Sequence, residues 1–88
     1  MCKECLIKIA STLTVKAQRI FNILAEEGKL NKTDIENISG LSYAITEKKL
    51  LELYFKQLVN RKQEGRSMMY WLSEEGKTLS KLLNKGEN

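Results

Sequence analysis

The 88-residue sequence contains no histidine, no proline, one aspartate (Asp34) and only two cysteines. Without histidine it lacks the commonest general base and the commonest zinc ligand. Two thiols are too few for a disulfide scaffold. There is no glycine-rich phosphate loop, no HExxH and no nucleophile elbow. No apolar run approaches the roughly 18 residues of a membrane-spanning helix. Lys3, Glu4 and Lys8 interrupt the N-terminus too early for a secretory signal. A chain of this size buries only about 60–65% of its unfolded surface, which leaves little interior for a substrate pocket. The expectation is a non-enzymatic cytoplasmic binding module, with no cofactor, no metal and no membrane.

What is present fits one globular domain: 42% of residues are hydrophobic and 30% charged. Fifteen Lys and Arg against eleven Asp and Glu give a net charge of +4. The surplus is concentrated. Residues 42–66 hold six cations (Lys48, Lys49, Lys56, Arg61, Lys62, Arg66) against Glu47, Glu52 and Glu64, or +3 of the +4. Residues 14–41 and 73–88 are balanced. A modest, localised basic excess is compatible with nucleic acid without requiring it.

Periodicity supplies the elements. Thr14 is a good N-cap, and Ala17, Ile20, Phe21 and Leu24 mark one face of a helix ending at Gly28. Thr33 and Glu36 have capping-box spacing for a second, shorter helix, which ends at Ser39-Gly40. Ser42 then caps a third, over residues 43–56. In it Thr46, Leu50, Leu53 and Gln57 share one face, while Leu51 and Phe55 make the opposite face apolar too. Residues 58–63 and 68–72 read as strands joined by Glu64-Gly65-Arg66-Ser67, a hairpin turn. A final helix begins after Ser73, with Glu74 and Glu75 on its positive end and a stripe of Leu79, Leu82 and Leu83. Cys2, Cys5, Leu6, Ile9 and Leu13 keep a helical stripe at the N-terminus. The domain plan is an extension over 1–12, forming a short helix for dimerisation, a core over 13–73, and a C-terminal helix and tail over 74–88.

Two short helices across a tight turn, followed by a two-stranded ribbon, make a winged helix-turn-helix, mainly α with a small β wing. The residues carry a resemblance as well. Leu13-Thr14…Gln18…Ile20…Leu24-Ala25-Glu26-Glu27-Gly28 resembles the first core helix of MarR-type regulators and their PadR-like and archaeal relatives. Gly40-Leu41-Ser42…Leu50…Leu53…Leu58-Val59 matches their recognition helix and first wing strand. Tyr70-Trp71-Leu72-Ser73-Glu74-Glu75-Gly76 is similar to their strand-to-helix junction. The resemblance covers about residues 13–83. Four departures stand out: Gln57 replaces the usual glycine before the wing, the polar and apolar residues of Ile45-Thr46 are reversed, the wing is short, and the flanking helices are reduced to residues 1–12 and 74–85.

The fold would set the third helix in a major groove, with residues 58–72 as the wing, and the resemblance implies a homodimeric transcription regulator of double-stranded DNA. The candidate DNA contacts are Lys32 and Thr33 at the second helix, Ser42, Tyr43, Lys48 and Lys49 on the third, and Arg61, Lys62 and Arg66 on the wing. For Tyr43 the alternative is core packing, for the cations a solvated face, and for Thr33 a plain N-cap. Glu47 is awkward near phosphate: it would accept from a cytosine amino group or pair with a lysine. One of Tyr70 and Trp71 should pack on the core. Leu6, Ile9, Leu51, Phe55, Leu79, Leu82 and Leu83 exceed the needs of one core and suggest a homodimer through the terminal helices, or extra helices that cover them. Cys2-x-x-Cys5 reads as two free thiols on a terminus; the alternatives are four cysteines assembled by a dimer around a metal, or a disulfide between two copies that senses oxidant. The rival to a DNA regulator is a winged helix serving as a protein–protein or replication-complex module. Operator, sign of regulation and effector are not legible.

Overall fold

The computed structural model describes residues 3–86. Helix α1 (Lys3–Ser11) leads into α2 (Val15–Glu27), where the Thr14 hydroxyl accepts from the Ala17 N–H at 3.2 Å. Ala17, Ile20, Phe21 and Leu24 are buried, as their 3–4 spacing requires. The α2 helix is the hub: it packs against the following two helices, the last strand and the last helix.

The next turn differs from the expected one. Asn31, rather than Thr33, caps α3 (Lys32–Ser39), its Oδ1 accepting from the Asp34 N–H at 2.8 Å. Leu30 and Asn31 also form a short strand, β1 (Leu30–Asn31), so the helix begins one residue past a strand. Gly40 ends α3 at φ 74, and Ser42 caps α4 (Tyr43–Phe55) through its hydroxyl and the Ile45 N–H. Thr46, Leu50 and Leu53 form its buried face. The reversed pair resolves with the polar residue inside: Thr46 is fully buried, while Ile45 lies half-buried at the flank.

The expected two-stranded ribbon is a three-stranded antiparallel sheet in the order β1-β3-β2, with β2 (Val59–Glu64) and β3 (Ser67–Leu72) forming the hairpin. Leu30 pairs with Tyr70 and Asn31 with Met69. Two residues are too few to carry an alternating pattern, which is why this strand is invisible in the sequence. The hairpin closes through Gly65-Arg66, with Gly65 at φ 62, the position that type II′ turns reserve for glycine. Of the aromatic pair, Tyr70 is buried and Trp71 half-buried. Ser73 caps α5 (Glu74–Gly86), its hydroxyl accepting from the Gly76 N–H at 3.0 Å.

The corner between α4 and β2 is closed by a Schellman motif. The Leu58 N–H donates to the Leu53 carbonyl and the Gln57 N–H to the Tyr54 carbonyl, with Leu53 and Leu58 both buried. Its left-handed residue is Gln57 itself, at φ 64. The sequence suggests a corner without such a residue; the structure makes the usual corner and loads it onto a glutamine.

Candidate nucleic-acid interface

Helix α4 divides into three strips. Thr46, Leu50 and Leu53 face the core. Ser42, Tyr43, Ala44, Glu47 and Lys48, all in its N-terminal half, are exposed. Farther along the outer side Leu51 is half-buried and Phe55 is 74% exposed. The N-terminal half therefore offers a short polar surface and the C-terminal half an apolar one.

The cations assigned to this surface are not equivalent. Lys48 is exposed and makes no ion pair among the described residues. Lys49 is drawn to the flank, 3.8 Å from Glu52, with most of its side chain covered. Lys32, the first residue of α3, reaches across to α4. Its Nζ lies 3.1 Å from Glu47 Oε1 and 3.9 Å from the centre of the Tyr43 ring. Burial pulls the Lys32 pKa down, but the contacts with Tyr43 and Glu47 outweigh it and hold the ammonium above its ordinary 10.5. Lys32 is thus engaged within the chain, and Glu47 has found the lysine partner that its position demanded. Thr33 is exposed, and its capping role belongs to Asn31.

On the wing the strand alternation separates the basic residues. Arg61 shares a face with Val59 and Gln63, and its guanidinium stacks over the Tyr54 ring of α4 at 4.3 Å. Lys62 stands on the other face, and Arg66 is exposed at the hairpin tip. The wing is tied down as well: Lys29 pairs with Glu64, beside the hairpin turn, and lies 5.3 Å from the centre of the Trp71 ring. Neither Tyr54 nor Lys29 is legible as a support from the sequence, because each acts on a residue distant along the chain.

The expected dimer residues also separate. Leu79 is fully buried in the chain's own core, so it has no surface to offer a second copy. Ile9 and Leu82 pack against that core from its edge. Helix α5 folds back against α1 and α2, which explains why its stripe is largely consumed within the chain. Leu83 and Phe55 remain exposed, joined by Ile7 on α1, which the stripe reading misses. Cys5 is exposed on α1; Cys2 and the Leu6 side chain lie outside the described residues. No helix among the described residues is long and apolar enough to cross a membrane.

No known family profile and no curated protein matches the sequence. Solved structures do match the backbone. RV1404 from Mycobacterium tuberculosis superposes with a TM-score of 0.81 at 16% identity, over 93% of this chain and 58% of its own. MepR, a transcription regulator of the Staphylococcus aureus multidrug efflux pump MepA, gives 0.77 at 19% identity, over 93% and 67%. The fold is a winged helix. Bordetella bronchiseptica BpsR, whose DNA binding is regulated by 6-hydroxynicotinic acid, gives 0.77 at 17% identity, over 88% and 61%. At such identities what is shared is the winged-helix backbone. The present winged helix spans about three-fifths of the length of RV1404 and BpsR.

Proposed function

We propose that this winged helix binds double-stranded DNA sequence-specifically as a homodimeric transcription regulator, with α4 in the major groove and the β2–β3 hairpin as the wing. The observation that carries the reading is that the third helix and the wing both present free cations. Lys48, Lys62 and Arg66 are exposed and without an ion pair among the described residues, and they lie on the reading helix and the wing. A major groove about 12 Å wide admits such a helix. Phosphate contacts by lysine and arginine would supply affinity, and the exposed N-terminal half of α4 would supply sequence readout. Regulation would follow from occlusion or recruitment at a promoter.

Fluorescence anisotropy with a random-sequence duplex at 50 and 200 mM salt tests this. Six to ten phosphate contacts per dimer lower affinity by about 10³–10⁵-fold across that range. The variant Lys48→Ala/Lys62→Ala/Arg66→Ala is expected to lose both the affinity and most of the salt slope. A folded wild-type protein that fails to bind at 50 mM salt overturns the proposal.

One observation favours a second reading, a protein-interaction module: Phe55 is 74% exposed beside half-buried Leu51 on the outer side of α4. That reading requires a partner whose binding is insensitive to salt and is lost on Phe55→Ser.

A further inference from the structure

Glu47 is the one carboxylate on the exposed N-terminal half of the reading helix. On a surface meant for phosphates, an unpaired carboxylate would weaken binding to every sequence alike. Here it is paired: Lys32, from the preceding helix, neutralises it through Oε1. Tyr43 and Glu47 lie four residues apart and so on the same side of α4, and Lys32 contacts both. The burial is uneven. The Lys32 side chain is only 17% exposed, whereas that of Glu47 is 50% exposed. The cation is thus the inner, covered member of the pair and the carboxylate the outer one, with acceptor capacity left over beyond the single contact to Lys32.

A held, outward carboxylate is a hydrogen-bond acceptor with no donor, and only some base edges suit it. In the major groove guanine presents two acceptors and thymine an acceptor and a methyl. Adenine sets its amino donor beside the N7 acceptor, which repels a carboxylate. Cytosine presents its N4 amino donor. We propose that Glu47 is a specificity-determining residue that accepts from the N4 amino group of a cytosine in the major groove, and that Lys32 and Tyr43 are positioning residues that fix its side chain. The inference rests on the DNA-binding reading above and adds to it the base that one side chain selects.

The test is selection from a random duplex pool by wild type, Glu47→Gln and Lys32→Met, followed by affinities for the selected duplex with single base pairs exchanged. Wild type should return a motif in which one cytosine per half-site, when replaced, lowers affinity on the order of tenfold or more. Glu47→Gln should leave the rest of the motif intact but exchange that cytosine for adenine, whose N6 and N7 a glutamine amide matches in bidentate fashion. Lys32→Met should relax the preference at that position alone, with an unchanged preference elsewhere and a melting temperature close to wild type. A motif that Glu47→Gln leaves unaltered overturns the inference while sparing the DNA-binding reading. A wild-type protein that selects no motif overturns both.

Discussion

Gln57 occupies a backbone conformation that costs an ordinary L-residue about 1–2 kcal/mol relative to glycine. The cost is tolerated because the Schellman hydrogen bonds and the buried Leu53–Leu58 contact over-determine the corner, and because the Ser73 hydroxyl donates to the Gln57 carbonyl at 2.6 Å. The Gln57 side chain is exposed, so replacing it removes no packing. Glycine would take back about 0.5–1 kcal/mol through its greater freedom in the unfolded chain. The balance predicts that Gln57→Gly stabilises the protein by about 1 kcal/mol, raising the melting temperature by roughly 4–8 °C for a domain of this size. Thermal denaturation followed by circular dichroism checks it. A lower melting temperature would show that the left-handed corner is not strained.

At the scale of elements, the junction between β3 and α5 is a close one. The Leu58 carbonyl accepts from the Ser73 N–H at 3.0 Å, and a Cβ on Gly76 would lie 2.1 Å from that same oxygen. Gly76 therefore stands inside a helix, where alanine has the better propensity by about 1 kcal/mol, because α5 must lie against a backbone atom. Overpacking against an atom that cannot rotate away costs about 1–3 kcal/mol. Gly76→Ala is thus expected to lower the urea midpoint despite the gain in propensity. This supplies a physical reason for the glycine that ends the Tyr70–Gly76 motif. Three further joints between elements are electrostatic: Lys32 links α3 to α4, Lys29 links the turn after α2 to the wing, and Arg61 rests on Tyr54. The Lys32 joint is insensitive to pH in ordinary use. Its folded pKa is raised above 10.5, so its contribution is fully present below that value and is lost only as pH climbs through the raised one.

At the scale of the whole molecule, the proposed homodimer must pair two copies of α4. Ile7 on α1 and Leu83 on α5 are exposed apolar residues on the two terminal helices, which pack against each other. In the proposed homodimer these helices carry the interface, setting two α4 helices one helical turn apart on a palindromic site. Sedimentation equilibrium should give a dimer for wild type and a monomer for Ile7→Lys/Leu83→Lys. The monomer should retain salt-dependent binding to a half-site but lose most of its affinity for a full one. A wild-type monomer at micromolar concentration would sink the terminal-helix dimer.

Helix positions, caps at Thr14 and Ser42, the hairpin at Gly65 and the core face of α2 were determined by the sequence alone. Each depends on residues within about one or two helical turns of one another, so spacing carries the information. The tertiary structure decided what lies across the chain: the third strand, the burial of Leu79, the pairing of Lys32 with Glu47, and the use of Asn31 rather than Thr33 as a cap. A leucine stripe has the same spacing whether it meets its own core or a second copy, and a lysine has the same charge whether it is free or engaged. Only packing, which brings residues distant in sequence within a few ångströms, distinguishes these cases.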